Sequence, residues 1–385
     1  MTTDCHARHS QFSYAVRVAN PLTLEFVMKK NLSRRSFLKT GGIALTAGAT
    51  TLLTNTASFA TPAQKDFGAV RFAVISDPHV DTKGKNGMKM SALSLECVEN
   101  TVEALNMDDG LKFVMVCGDL LLDGEWENAK AVKGALDQLN APYFVVAGNH
   151  DFVPADTKKH RDGFTYMTIE DFVQYFKGHG YDASGSRHYA REIVPGLRVI
   201  GLDANMPLEP KKWGGVVEAD QLQWLDTELS THKDDTHILF IHHNLVSWSA
   251  DELEGGPKQW FTVDNAAEVR SLLDKHTNAQ VVISGHRHIA LNLKELNGTN
   301  YIASPSVNTH PMRYTVYDLN QNGISWQTPA VPMTTAQHLE ARENLLGATW
   351  WRATQFAERN AFNDMEVLSL YENNGMRMGQ KTLKS

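Results

Sequence analysis

Short apolar runs, each stopped by a glycine or a polar turn, recur along the chain and read as buried strands. Val70–Ser76, Phe113–Cys117, Tyr143–Ala147, Leu197–Asp203, His237–Ile241 and Ala279–Ser284 are the clearest. Between them apolar positions return at helical spacing: Ala92, Leu93, Cys97, Val98, Val102 and Leu105, then stretches around 127–139, 169–176 and 221–229. Strands alternating with amphipathic helices predict βαβ units, a mostly parallel sheet and an α/β fold. Shorter alternating runs around 291–296, 301–303, 314–318 and 323–327 predict a second sheet closing against the first. The tail from Thr335 to about Met365 is helical in pattern, with Leu339, Leu346, Trp350, Ala353 and Ala357 on one stripe, read as core packing. The neighbours Trp350 and Trp351 have a second reading, as the rim of a site or of a dimer contact.

The segment ahead of the first strand is read as no part of the fold. Ser33-Arg34-Arg35-Ser36-Phe37-Leu38-Lys39 precedes a mildly apolar stretch from Thr40 to Leu53, and Ala57-Ser58-Phe59-Ala60 offers a small-x-small cleavage site. The apolar stretch is too short and too interrupted to span a bilayer. This leader resembles the signal peptides of the bacterial twin-arginine pathway, which implies the twin-arginine export machinery as a partner, cleavage near Ala60 and a periplasmic location. Met28, followed by Lys29 and Lys30, is an alternative start. The expected organisation is a leader over 1–60, a main domain over 61–330 and a helical C-terminal extension over 331–385.

Composition narrows the classes. Of 385 residues, 42% are hydrophobic and 21% charged, which suits a folded protein. A net charge of −7 argues against a binder of nucleic-acid polymers working through a basic surface. The cysteines are Cys5, Cys97 and Cys117, with no C-x-x-C pair, which excludes a zinc-thiolate site and a thioredoxin-like motif. A Cys97–Cys117 disulfide is conceivable in an exported protein; the preferred reading is two buried thiols, one on a helix and one on a strand.

The strand ends carry the candidate chemistry. Asp77, His79, Asp119, Asn149, His242, His286 and His288 each lie just past a predicted strand, so no strand buries an unpaired charge. Seven oxygen and imidazole donors exceed the needs of one four-coordinate ion and suffice for two ions sharing a carboxylate. Such a set suits Mn, Fe or Zn. A pair of ions about 3.5–4 Å apart stabilises both the attacking and the leaving oxygen of an in-line displacement and acidifies water, which phosphate-ester hydrolysis needs most.

The series D-x-H at 77–79, G-D at 118–119, G-N-H-D at 148–151, H-H at 242–243 and G-H-x-H at 285–288 resembles the calcineurin-like metallophosphoesterases. It is most similar to their bacterial class III cyclic-nucleotide phosphodiesterase and glycerophosphodiesterase branch, over about Val70 to Gln327. The resemblance implies two mixed sheets packed face to face and flanked by helices in four layers. It implies that Asp77, His79, Asp119 and His288 hold one ion, and that Asp119 bridges to a second held by Asn149, His242 and His286. It also implies a hydroxide between the ions as nucleophile, and His150, oriented by Asp151, as the acid that protonates the leaving alkoxide. His242 rather than His243 is taken as the ligand, from its place in the family's pair. His243, Asp81, Asp123, Asp203 and His310 are read as structural, and Arg187, His188 and Trp213 as loop residues with phosphate or base binding as the alternative. Two positions depart from relatives: Leu122 stands where purple acid phosphatases place a tyrosine, and Asn244 where the family usually has proline. The expected function is an exported phosphodiesterase acting on a small phosphate ester. A broad periplasmic phosphomonoesterase and a non-catalytic scaffold are the alternatives, and a homo-oligomer stays open.

Overall fold

Residues 64–207, 213–353 and 364–383 are described by the computed structural model; the leader expected over 1–60 lies outside them. The chain runs through β1 (Val70–Ile75), α1 (Ser94–Asn106), β2 (Leu111–Cys117), α2 (Trp126–Leu136), β3 (Tyr143–Val146), α3 (Ile169–Tyr175), β4 (Tyr189–Val194) and β5 (Leu197–Leu202). It continues with α4 (Ala219–Thr231), β6 (Thr236–Ile241), α5 (Ala266–Leu273), β7 (Ala279–Ser284), β8 (Asn292–Leu296), β9 (Thr299–Ala303), β10 (Thr315–Asn320) and β11 (Gly323–Gln327). The last described elements are α6 (Thr335–Gly347), α7 (Asp364–Tyr371) and β12 (Met378–Thr382).

These strands make two six-stranded mixed sheets, ordered β12-β11-β10-β1-β2-β3 and β4-β5-β6-β7-β9-β8. β1, β2 and β3 run parallel, as do β5, β6, β7 and β9. Every residue of β6 and β7 is buried, as expected where a parallel strand is covered on both faces. The sheets meet through stacked rings. Phe72 of β1 lies 4.9 Å from Phe113 of β2 and 4.9 Å from Tyr317 of β10, all nearly coplanar. Phe240 of β6, in the other sheet, meets Phe72 edge-on at 6.3 Å and Phe113 at 6.4 Å. Offset stacks and edge-to-face pairs are the arrangements that aromatic quadrupoles favour.

The late strands are distributed otherwise than the sequence suggests. β9 pairs parallel with β7 and β8 with β9, whereas β10 pairs antiparallel with β1 and β11 with β10. A strand's pattern reports which faces are buried but not which neighbour supplies the hydrogen bonds, so it cannot assign a sheet. β4, α5 and β12 were not foreseen. β12, Met-Gly-Gln-Lys-Thr, alternates between exposed and half-buried positions and pairs with β11, so the extension expected to be helical ends in an edge strand. Within α6 the buried residues are Ala341 and Leu345, while Leu339 and, beyond the helix, Trp350 are exposed. Of the expected stripe, Ala353 is buried and Leu346 is half-buried against the core, whereas Leu339 and Trp350 are exposed; Ala357 lies outside the described residues. Cys97 in α1 and Cys117 in β2 are buried free thiols, which removes the disulfide. Among the described residues no helix is long and apolar enough to cross a membrane.

Since Phe72 is fully buried and touches rings of both sheets, Phe72→Ala should cost about 3–5 kcal/mol of unfolding free energy. The measurement is urea denaturation of the two proteins, and a loss below about 1 kcal/mol would contradict this account of the sheet contact.

Candidate metal centre

Within each sheet, neighbouring strand ends are tied together beyond the strands themselves. The Asp77 N–H donates to Gly118 O at 3.2 Å, the His79 N–H to Asp119 O at 2.9 Å, and the Gly285 N–H to His242 O at 3.1 Å. Gly118 and Gly148 are required by close approach: a Cβ on the first would run into the His242 ring, and on the second into Asp119. The backbone is unusual here. Seven non-glycine residues have positive φ among the described ones, and five of them are Asp77, His79, Asp119, His286 and His288, at 50°, 41°, 51°, 70° and 53°. Such conformations cost on the order of 1–3 kcal/mol each and persist only where the surroundings impose them.

The side chains converge. Asp119 Oδ2 stands 3.3 Å from His79 Nε2 and 3.3 Å from His242 Nε2, while its Oδ1 accepts the His150 N–H at 2.8 Å. His79 Nε2 faces His288 Nε2 at 3.0 Å, His288 Nε2 lies 3.2 Å from Asp77 Oδ1, and His242 Nε2 lies 3.2 Å from His286 Nδ1. The ligand atoms of Asp77, His79, Asp119 and His288 all fall within 4.8 Å of one another, as do those of Asp119, His242 and His286. All six are buried, and so is Asn149.

This donor set fits two cations. Facing imidazole nitrogens satisfy each other only as one donor and one acceptor, and Oδ1 of the buried Asn149 and Nε2 of His286 have no hydrogen-bond partner among the described residues. Lone pairs left over in a buried cluster are what a cation would occupy, and oxygen with imidazole suits Mn, Fe or Zn. Neighbours orient the rings. His242 Nδ1 lies 2.9 Å from the Cys117 carbonyl, a pure acceptor, so Nδ1 donates and Nε2 turns toward Asp119. His288 Nδ1 meets Thr309 Oγ1 at 3.0 Å, and His79 Nδ1 lies 3.3 Å from Leu121 O and 3.1 Å from Lys89 Nζ. Both Asp77 oxygens accept the His286 N–H, at 2.9 and 3.1 Å.

Charge inside the cluster is divided. Burial, aided by Lys89, holds His79 well below the ordinary imidazole range, and burial with His243 and His242 does the same to His286. For His242 burial acts in the same direction, but the carboxylates of Asp119 and Asp77 overcome it and raise the group to about 9. Burial favours a neutral Asp119, yet His242, His150 and His79 hold it well below the carboxylate range. The metal-free centre thus keeps an imidazolium–carboxylate pair, and metal uptake must displace the His242 proton.

His150 sits at the edge of the cluster, its ring edge-on to His79 at 4.9 Å. Its Nδ1 lies 2.5 Å from Leu122 O and 3.0 Å from Asp123 Oδ1. The expected orienting partner, Asp151, is engaged elsewhere: its oxygens accept the N–H groups of Leu121 at 2.9 Å and Gly148 at 2.7 Å. Asp151 braces the turn, and Asp123, read from the sequence as structural, orients the imidazole. Burial and the nearby Asp119 push Asp151 up to about 8.

His243 is buried against His286, ring centroids 4.5 Å apart, and belongs to neither donor group. Asp81 pairs with Arg161 at 3.0 Å, Asp203 with Arg187 at 3.3 Å, and His310 with Glu372 at 3.0 Å. Arg187 and His188 line a separate surface cavity with Asp203 and Gln221. Asn244 replaces the usual proline with hydrogen bonds: its Oδ1 accepts from Ser284 Oγ at 2.7 Å and Trp248 Nε1 at 2.9 Å. Trp351 reaches the centre, 6.2 Å from the His288 ring, so of its two readings the rim is the one the contacts favour.

Because His242 is raised to about 9 from an ordinary 6.5, its contribution to stability is complete below pH 6.5 and lost as pH rises through 9. Chelated protein should therefore lose up to roughly 3 kcal/mol across that window, and Asp119→Asn should flatten the dependence. Unfolding midpoints against pH, with and without chelator, measure it; a flat chelated curve would contradict the His242–Asp119 pair.

A family model described as calcineurin-like phosphoesterase matches residues 70–290. The probable glycerophosphodiester phosphodiesterase GpdQ of Arcobacter nitrofigilis is 26% identical over 217 residues, 56% of this chain and 70% of that one. The 3′,5′-cyclic adenosine monophosphate phosphodiesterase CpdA of Escherichia coli K12 is 24% identical over 243 residues, 62% of this chain and 76% of that one. Among solved structures, a dimetal phosphatase from Danio rerio shares the fold with a TM-score of 0.51 at 18% identity, covering 67% of this chain and 95% of that one. The matched length and the paired donor groups lead to one conclusion: the chain belongs to the calcineurin-like phosphoesterases, a dimetal-dependent family, as a metal-dependent phosphoester hydrolase.

Proposed function

We propose that this protein is an exported phosphodiesterase that hydrolyses small phosphate diesters, with His150 as general acid. The observation that carries the reading is the position of Asp119 Oδ2, 3.3 Å from one imidazole of each donor group. Asp77, His79, Asp119 and His288 would hold one cation, and Asp119, Asn149, His242 and His286 the other. Bound there, two cations supply Lewis acidity toward the phosphoryl oxygens and an acidified water.

The remaining work falls to the chain. Asp119 fixes the separation of the two groups because its Oδ1 is held by the His150 N–H and only Oδ2 faces both. His150, with Nδ1 taken up by Leu122 O and Asp123, presents Nε2 as the atom that carries a proton to a departing alkoxide. Phosphodiesterase names among the relatives support a diester substrate. Export is supported by the twin-arginine leader alone, and it would separate the enzyme from cytoplasmic cyclic nucleotides.

His150→Ala should lower kcat on an alkyl diester by about 10²–10⁴-fold with metal content unchanged. The loss should be much smaller on bis-(p-nitrophenyl) phosphate, whose leaving group needs no proton. Asp119→Asn should lose both metal and turnover, read by elemental analysis beside the assay, and full activity in both variants would end the catalytic assignment. Faster turnover of p-nitrophenyl phosphate than of the bis-ester would instead favour a phosphomonoesterase. For export, Arg34→Lys with Arg35→Lys should retain the precursor inside the cell; periplasmic recovery of that double variant would contradict the twin-arginine reading.

A further inference from the structure

Each donor group draws one ligand from a single three-residue turn. His286 belongs with Asp119 and His242, and His288 with Asp77, His79 and Asp119. Between them stands Arg287, the largest fully buried side chain among the described residues. The turn is a costly one. His286 and His288 have φ of 70° and 53°, and the Arg287 N–H closes back onto Gly285 O at 2.8 Å. Left-handed backbone at two histidines persists only where something outside the turn imposes it.

The Arg287 side chain supplies that hold. Its Nε donates to Glu252 Oε1, and its Nη2 lies 3.5 Å from Asp251 Oδ2. The guanidinium sits 4.0 Å over the Phe261 ring, which meets the His286 ring at 5.0 Å. Both carboxylates come from the short 3-10 turn Ala250–Glu252, in the loop that follows β6 and His242. That turn is itself fixed. Glu252 accepts the Trp248 N–H at 2.7 Å and the Ser249 hydroxyl at 3.0 Å, and Asp251 binds Lys258 at 2.9 Å. Lys258 Nζ in turn donates to the carbonyl of Trp351 at 3.0 Å.

Stability alone does not account for this network. Two carboxylates face a guanidinium and an ammonium, and all four groups are buried. Taking such charges out of water offsets most of what their attraction returns, so the set adds little net stability. What it fixes is direction. A guanidinium is planar, with its donors in a rigid fork, whereas an ammonium or an apolar chain accepts many orientations. The carboxylate pair and the Phe261 face together hold Arg287 in one pose, and the backbone on either side must follow it.

We propose that Arg287 is a positioning residue for both cation sites, setting the turn that aims His286 into one donor group and His288 into the other. The inference rests on the two-cation reading and adds the group that holds one ligand of each ion in place. A single side chain then controls both affinities together. Partners that orient metal ligands in this way typically change affinity by about 10–100-fold.

The test uses the full chain, stripped with chelator and titrated with Mn²⁺ by calorimetry. Arg287→Lys, which keeps the charge but loses the fork, and Arg287→Met should each weaken both binding steps by about 10–100-fold. Arg287→Met also leaves a buried carboxylate uncompensated and should lower the urea midpoint of the metal-free protein. Adding Glu252→Gln removes that charge and should bring the midpoint back close to wild type. In this double variant the Mn²⁺ affinities should stay low, which a purely structural role would not produce. Wild-type affinities in either single variant, weakening confined to one ion, or affinities that recover with stability in the double variant each overturn the proposal. Fewer than two ions on the wild type would sink the two-cation reading, and the proposal with it, before any variant is compared. Two bound ions without hydrolysis of any diester would sink the phosphodiesterase reading alone, and the affinities still decide the role of Arg287.

Discussion

One carboxylate oxygen governs the arrangement of this centre. Asp119 Oδ2 is equidistant from an imidazole of each donor group, and the other oxygen is fixed by a backbone N–H. Around it two further imidazoles and a second carboxylate crowd into a buried space. Such a cluster is unfavourable alone: its nitrogens face each other, and one amide oxygen has no partner among the described residues. Five of its residues also occupy backbone conformations that side chains resist. The centre is a store of unfavourable terms that a pair of cations would relieve, and the fold must hold it together until they arrive.

The sandwich provides that restraint. β1 and β2 lie in one sheet and β6 and β7 in the other, and the Phe72, Phe113, Tyr317 and Phe240 rings lock the two faces behind the site. Forward of the rings, backbone hydrogen bonds zip the strand ends together, and glycines let Asp119 and His242 approach where a methyl group would block them. Burial at the back and close contact at the front act on the same strands.

Beyond the donors, position is set mainly by groups that cannot titrate. The carbonyls of Cys117, Leu121 and Leu122 face Nδ1 of His242, His79 and His150, directing the opposite nitrogen of each ring toward the site. A carbonyl keeps its polarity at every pH, so at His242 tautomer choice does not depend on the state of a neighbour, whereas His79 Nδ1 also has Lys89 Nζ at 3.1 Å. Asp123 adds charge at His150, the imidazole whose expected task is to lose a proton, while Asp151 is occupied in holding the turn.

Much of this was legible from the amino-acid order. Period-two and period-3.6 patterns located most elements within a few residues, because burial imposes those periods on any half-covered strand or helix. The candidate donors could be picked out because each follows a predicted strand, and Asp119, Asn149 and His286 directly follow a glycine, a local requirement written into local sequence. Strand partners were not legible, since β8 to β11 carry the same alternation whichever sheet they join. Nor was β12, whose polar composition offers no apolar run. Asp151 is the next residue after His150 and Asp123 lies 27 residues before it, yet the path of the turn brings Asp123 to the ring. The ring contacts from Trp213 through Trp260 and Phe261 to Trp351, and the Arg287 network beside them, join segments that are separate in the sequence. Contacts of that kind leave no periodic trace, because nothing in the local chain depends on them until the fold has closed.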